Sequence, residues 1–455
     1  MTYTTPRAAV IVPTHNRSAR LARTLDALEQ QTCGPEAFEV IVVANACTDD
    51  TAAVVAARRE RAPYSLRLIE RAEPGASGAR NAGTEKTRAP LLIFLDDDIE
   101  ASPGFVEAHL EAHRSSANRY GSASVAVGYL PPALQPEGDL FAMMLRAWWE
   151  AMFDKMRGPG HRFEYTDLLS GNFSLHRDLF VSVGGFDTRY RCHEDYELGY
   201  RLLRAGAQFV FAEAASGDHS DRSRVPDACA RKRAEGYADV QLSQQYPELR
   251  TTLLLARRLT LKQKVLWWSA FHAPRLGDAA AQTLIDLLPV FERLGLRMGW
   301  LRILYAVFGY WYARGLADAL PRFAELEQLL EGAPDERKHQ DDDRFVISLD
   351  DGVEAAERVL DAARPMAASL HIAGREFGEL AYRPGAERLA GRHMRQNLTT
   401  VLHREYVEAL VASGRLSVAP TNLGSNQIRP LPGREAEDEH ALAASPPAYG
   451  DASSR

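Results

Sequence analysis

Cysteine is scarce in this chain. Four thiols, Cys33, Cys47, Cys192 and Cys229, are scattered over 455 residues, and no two form a C-x-x-C pair. That spacing argues against a disulfide framework or a cysteine-rich zinc site and fits a reducing compartment. Positive charge is also in short supply. Lys and Arg number 54 against 61 Asp and Glu, a net charge of −7, so no nucleic-acid partner is expected. Long apolar runs are missing too. No stretch reaches about 18 uninterrupted apolar residues, so no transmembrane helix is indicated. The opening "MTYTTPRAAVIVPTHNR" does not read as a secretory leader, because its apolar run is too short. These absences together point to a cytoplasmic protein. What remains is 45% hydrophobic and 25% charged, the balance of a soluble globular chain long enough for two or three domains.

The first part of the chain alternates strand-like and helix-like segments. "AAVIVP" (8–13) and "FEVIVVA" (38–44) are short apolar runs. Between them, Leu21, Leu25 and Leu28 recur at helical spacing in 18–31, with Ser18 available as an N-cap. A second helix is expected at 48–62, a strand at 65–70, a short helix at 77–87 and a strand at 90–95. This rhythm predicts a mostly parallel sheet with helices on both faces, whose ligands bind beyond the carboxyl ends of the strands. Further on, a strand is expected at 124–131, an apolar-faced helix at 138–156 and a mobile glycine–proline loop at 157–165. A strand, short helix and turn follow at 168–187, then a helix and strand at 193–213. After about 250 the chain turns helical, aromatic and basic. The acidic stretch 331–343 reads as a linker, 344–420 as a small mixed module, and the end as a disordered tail.

The chemistry concentrates in "LLIFLDDDIE" (91–100), where a buried strand runs into Asp96, Asp97 and Asp98. Three adjacent carboxylates need positive compensation. Carboxylate oxygens suit hard divalent cations, and Mg²⁺ is commonly completed by substrate phosphates. D-x-D at a strand tip therefore suggests metal–phosphate binding; the plain alternative is a solvated acidic loop. Haloacid-dehalogenase-like phosphatases also place D-x-D after an apolar strand. They usually carry Thr or Val where this chain has Glu100, and the motif usually opens their domain.

Six segments occur in order: "VIVPTHNR" (10–17), "VIVVANACTDDT" (40–51), "PGASGARNAG" (74–83), "LLIFLDDDI" (91–99), "GNFSLHRDLFVSVGGFD" (171–187) and "HEDYELGYRLLRAG" (193–206). The series resembles the family 2 glycosyltransferases over roughly residues 8–220. The resemblance implies a GT-A fold, Rossmann-like, and transfer of a sugar with inversion. The donor would be a UDP-, GDP- or dTDP-linked sugar and the acceptor a saccharide or lipid-linked hydroxyl. Mg²⁺ or Mn²⁺ would be the cofactor. A non-catalytic nucleotide-sugar-binding scaffold on the same fold is the rival reading.

The resemblance also implies roles. Asp96 and Asp98 are the expected metal ligands, with His219 in "SGDHSDRS" as a third ligand or else a surface histidine. Asp97 would face the ribose or the metal's waters. Asp195 of "HED" is the expected base; near a helix N-terminus its pKa should fall. Glu197 either orients the acceptor or is a solvated charge. Pro13, His15, Asn16 and Arg17 would flank the nucleotide, as would Asn45, although Ala44 stands where the family commonly has Asp. Arg80 and Asn81 would face the nucleotide or diphosphate, Arg80 alternatively being a surface residue. Gly171 and Asn172 would line the donor sugar. Trp148, Trp149 and Phe153 either stack on a sugar or fill the core. "GGFD" is expected to make a turn.

The expected architecture is an α/β transferase domain at 1–245, a helical extension at 246–333, a small module at 334–430 and a tail at 431–455. Basic residues beside tryptophans in the extension suit either peripheral membrane contact or a helical subdomain with its aromatics packed inward.

Overall fold

The computed structural model describes residues 5–133, 139–220, 223–331 and 345–416. The first half forms β1 (Ala8–Thr14), α1 (Ser18–Glu29), β2 (Phe38–Asn45), α2 (Thr51–Arg59), β3 (Ser65–Arg71), α3 (Ala76–Glu85), β4 (Leu91–Leu95), β5 (Ile99–Ala101), α4 (Phe105–Tyr120), β6 (Ser124–Tyr129), α5 (Leu140–Arg157), β7 (Asn172–His176), α6 (Arg177–Ser182), α7 (Glu194–Arg204) and β8 (Gln208–His219). There follow α8 (Val225–Gln245), α9 (Leu261–His272), α10 (Pro274–Arg293), α11 (Arg297–Ala319) and α12 (Phe323–Glu331), then β9 (Phe345–Ser348), β10 (Ala368–Ile372) and β11 (Arg375–Leu380).

Every residue of β1, β2 and β4 is buried, as continuous apolar runs in a sheet covered on both faces must be. The eight-stranded sheet has the order β3-β2-β1-β4-β7-β6-β8-β5. The pairs β1–β2, β2–β3, β1–β4 and β6–β8 are parallel, whereas β4–β7, β6–β7 and β5–β8 are antiparallel. The sheet is thus mostly parallel, with β7 reversed inside it. That reversal positions the site. It brings the amino end of β7 beside the carboxyl end of β4, so Leu95 registers with Asn172 and the Asp96 N–H donates to the Gly171 carbonyl at 3.2 Å. β8 ends at the same edge, where His219 registers with Ile99.

Two residues before the first aspartate, Phe94 anchors an aromatic cluster. Its ring stacks on Phe173 at 4.8 Å and meets Phe186 edge-on at 5.6 Å. Such pairs add about 0.5–1.5 kcal/mol each beyond burial, which stiffens the strand tip.

Two local expectations are corrected. Ser18 is the first residue of α1 rather than its cap; Arg17 is at the cap position, and Asp49 accepts from the Ser18 N–H at 2.9 Å. The loop 157–165 is not loose. Arg162 is buried and donates to the carbonyls of Glu387, Ala381 and Met366, while the Phe163 N–H donates to Glu387 Oε1 at 3.0 Å. This loop is the dock for a small C-terminal unit. There β11-β10-β9 and the helix Val353–Ala363 enclose Leu360, Leu370 and Met394. Of the linker expected at 331–343 only Glu331, the last residue of α12, is described, and the tail at 431–455 lies outside the described residues.

The helical part meets the sheet through α8, which crosses α11 at two glycines. A Cβ on Gly236 would overlap the Tyr312 carbonyl oxygen, and one on Gly315 the Arg233 carbonyl oxygen. Backbone cannot yield as a side chain does, so Gly315→Ala should destabilise the fold by about 1–3 kcal/mol in urea melts.

Candidate active site

The three aspartates at the tip of β4 point three ways, each toward positive charge or a donor. Asp96 Oδ1 accepts from Arg80 at 2.8 Å. Asp97 accepts from the Thr14 hydroxyl at 2.6 Å and from Arg17 at 3.3 Å. Asp98 accepts from Arg20 at 3.2 Å, lies 3.6 Å from Arg17, and faces His219 Nε2 at 3.4 Å. The protein's own cations therefore supply much of the compensation the trio needs. Burial pushes Asp97 up to about 7 against the pull of Arg17, helped by the charge of Asp98. Asp98 goes the other way: burial raises it, but His219, Arg17 and Arg20 more than offset that and hold it below the usual carboxylate range.

Arg80 joins this strand tip to the "HED" segment. It lies on α3 and is 1% exposed, so it is not a surface arginine. One arm of the guanidinium bonds Asp96, the other reaches Glu194 Oε1 at 3.3 Å, and its carbon lies 5.4 Å from the Phe186 ring centroid. Asn81, one residue on, donates to the Phe186 carbonyl at 2.8 Å and accepts from the Phe186 N–H at 2.9 Å. Its amide holds the "GGFD" turn, in which Gly184 (φ 88°) and Gly185 (φ 67°) adopt backbone that L side chains resist.

Asp195 is in the first turn of α7 and is 1% exposed. Its Oδ1 accepts from the Tyr196 N–H at 2.9 Å and its Oδ2 from the Ser170 N–H at 3.4 Å. The expected depression by the helix N-terminus is overturned: burial, with Glu194 alongside, pushes Asp195 up to about 6 in spite of His193 and Arg231. Desolvation outweighs the dipole because the carboxyl is cut off from water. Beneath it, His193 caps α7 in left-handed backbone (φ 58°) with Nδ1 3.0 Å from Asp239 Oδ1. Asp239, on α8, also accepts from the Tyr312 hydroxyl of α11 at 2.5 Å. Glu197, expected to face an acceptor or water, is fully buried and bonds Arg201 at 2.7 Å and the Tyr246 hydroxyl at 2.7 Å.

One cavity collects the chemistry. Asp96, Asp195 and His219 line it together with Gly171, Asn172 and Trp149, around about 20 Å³ of free space. That is room for one water-sized group. A side chain at Gly171 would press on Asp96 Oδ2 at 2.9 Å, so the glycine keeps this wall open. Asn172 donates to the Ala215 carbonyl at 2.8 Å and accepts from His109 Nε2 at 2.8 Å, so its amide is committed to the wall's frame. Trp148 lies outside this wall, stacked on Phe308 at 6.5 Å between centroids, while Phe153 is in the core.

Pro13, His15, Asn16 and Arg17 gather at the end of β1, and Asn45 at the end of β2 beside it. Asn16 (φ 51°) accepts from the Thr48 N–H at 2.7 Å, and His15 Nδ1 meets the Asn45 carbonyl at 2.5 Å. Asn45 is 1% exposed, and its Oδ1 has no hydrogen-bond partner among the described residues.

Among the described residues, no three His, Cys, Asp or Glu come together as a ready metal cluster. Asp98 and His219 do face one another, and Asp98 Oδ1 is buried without a hydrogen bond. Those two fit a divalent ion as an oxygen–nitrogen pair. Asp96, tied to Arg80, does not join them here.

Sequence reasoning missed Glu194, Arg20, Thr14 and the His193–Asp239–Tyr312 chain. The signal for Glu194 was present in its place beside Asp195; the rest depends on partners some 80 to 115 residues distant or on helices outside the resemblance.

Residues 9–183 match the family described as glycosyl transferase family 2. Among relatives, a validoxylamine A glucosyltransferase of Streptomyces hygroscopicus subsp. limoneus is 32% identical over 242 residues, covering 49% of this chain and 53% of that protein. An uncharacterized glycosyltransferase, YfnE, of Bacillus subtilis is 27% identical over 247 residues, covering 45% and 62%. Among solved structures, a mannosyltransferase of Pyrobaculum calidifontis superposes with a TM-score of 0.46 at 19% identity, covering 70% of this chain and 88% of that one. The matched residues 9–183 include the three strand-end aspartates, Arg80 and Gly171. The chain spans about half the length of the first curated relatives it matches.

Because Arg80 is the buried cation between two carboxylates, Arg80→Met should cost about 3–5 kcal/mol in urea melts, and Arg80→Lys should recover little, lacking the planar two-armed geometry.

Proposed function

We propose that the protein is a metal-dependent, inverting glycosyltransferase that moves a sugar from a nucleoside-diphosphate sugar to an acceptor hydroxyl, in polysaccharide, glycolipid or glycoconjugate synthesis. The observation that carries this reading is Asp195: a buried carboxyl held near pKa 6, on one cavity with Asp96 and His219. A base tuned toward the working pH is what deprotonation of an acceptor requires. In the transfer, the acceptor oxygen bonds to the anomeric carbon as the bond from that carbon to the diphosphate breaks. The acceptor's proton passes to Asp195, and the nucleoside diphosphate leaves.

The chain's residues divide the remaining work. The ends of β1 and β2 form the nucleotide side, with Pro13, His15, Asn16 and Arg17 around it and Asn45 Oδ1 buried there without a hydrogen-bond partner among the described residues. Gly171 leaves the sugar side unobstructed. Asn172 and Asn81 act through the frame they hold rather than by direct contact. Arg80 keeps Asp96 and Glu194 in place. Asp98 and His219 would hold a Mg²⁺ or Mn²⁺ ion, which when bound stabilises charge on the leaving diphosphate. The P. calidifontis mannosyltransferase was solved with GDP-mannose and Mn²⁺, and the reading proposes the same ligand class here. The cavity must open to admit a donor sugar, since it holds only a water-sized group as it stands. The transferase and helical parts share the α8–α11 pair, so the proposed boundary near 245 divides function more than packing.

A non-catalytic scaffold would bind the nucleotide without needing Asp195. Asp195→Asn should therefore retain nucleotide-diphosphate binding and lose at least about 10³-fold in transfer, of the order expected for general-base removal; surviving transfer would place the base elsewhere. Thermal shift with UDP, GDP or dTDP should rise further with Mn²⁺, and no shift with any of them would sink the donor assignment. The base works ionised, so kcat/KM should fall as pH drops through about 6 and level off above it.

A further inference from the structure

The helices beyond the transferase fold carry a surface that glycosyl transfer does not use. Eighteen large apolar residues are exposed among those described, and nine of them lie between Leu261 and Met298. They are arranged. On α9, Leu261, Val265 and Trp268 fall at i, i+4 and i+7, exposed by 79%, 60% and 55%, while Trp267 and Ala270 turn inward. On α10, Leu276, Leu287 and Val290 are exposed, as is Leu294 at its C-cap. Burying such a face is favourable, and patches of this kind mark interaction sites.

Charge says what covers it. Residues 257–302 hold eight Lys and Arg against three Asp and Glu, a segment of net charge +5 in a chain of −7. All eight cations are exposed. None is in an ion pair among the described residues, in contrast with Arg314 of α11, which pairs with Asp278. Lys262 and Lys264 flank the α9 stripe itself. Long basic side chains beside exposed leucine, valine and tryptophan are what a helix lying in a headgroup layer presents. No helix among the described residues is long and apolar enough to cross a membrane.

We infer that α9 and α10 form a docking surface for an anionic lipid bilayer, with the α9 stripe inserted among the headgroups and the cations against lipid phosphates and carboxylates. No residue of α9 or α10 lines the cavity that holds Asp96 and Asp195, and the surface does not depend on that site's chemistry.

The test is co-sedimentation of the full chain with vesicles of phosphatidylcholine alone and with about 30 mol % phosphatidylserine, at about 0.1 M salt. The anionic vesicles should be bound at least about tenfold more tightly, since each basic residue near such a surface is worth about fivefold. The triple variant Leu261→Ser, Val265→Ser, Trp268→Ser and the double variant Lys262→Glu, Lys264→Glu should each lose at least about tenfold in that binding, with Tm unchanged because the substituted side chains are exposed. Equal binding to both vesicles, no binding to either, or variants that bind like the parent would overturn the inference. So would a dimer in sedimentation velocity that the triple variant disperses, because the stripe would then belong to a second copy of the chain.

Discussion

The Arg80 bridge is the interaction on which the site depends. Its guanidinium is the buried cation between Asp96, at the tip of β4, and Glu194, at the head of α7. Those two elements meet nowhere in sequence, and without a cation between them two carboxylates would face each other out of water. With the cation in place, Asp96 and Asp195 come to the same cavity from opposite sides. The surrounding packing serves this geometry. Phe94 and Phe186 stiffen the strand tip, Phe186 lies beside the Arg80 guanidinium, and Asn81 clamps the turn that carries Phe186.

Three adjacent aspartates call for positive compensation, and the protein answers much of that demand with Arg80, Arg17, Arg20 and His219. The consequence is a division of labour. Asp96 belongs to the frame, Asp97 is held by Thr14 and pushed toward the protonated form, and Asp98 stays ionised opposite His219. A cation held by Asp98 and His219, as proposed, would add to a balanced cluster rather than rescue an unbalanced one. On the far side, His193 at the head of α7 lies 3.0 Å from Asp239 of α8, which accepts from the Tyr312 hydroxyl of α11, so the helical part is joined to this end of α7 by polar contacts as well as by packing.

Much of this was legible in the sequence. Continuous apolar runs marked the buried strands, and helical spacing marked α1. The ordered motifs placed the chemistry at strand ends, and the carboxylates and His219 do gather at one edge of the sheet. Other features were illegible for physical reasons. A buried arginine reads in sequence like a surface one, because its burial depends on carboxylates contributed by distant segments; Arg80 shows this. Sequence leaves Glu197 open between orienting an acceptor and standing in solvent, whereas Arg201 and Tyr246 enclose it. The loop 157–165 has a mobile composition, yet a unit more than 200 residues later fixes it through Arg162. The pKa of Asp195 was misjudged because position in a helix is visible in sequence and desolvation is not.

The measurement that bears most directly on the account is a crystal structure of the protein with a nucleoside diphosphate and Mn²⁺. The account predicts the base beside Asn45, the ion at Asp98 and His219, and Arg80 still bonded to Asp96 and Glu194. An Arg80 that leaves those carboxylates to pair with the diphosphate would contradict it, because the bridge would then be a feature of the empty site rather than its frame.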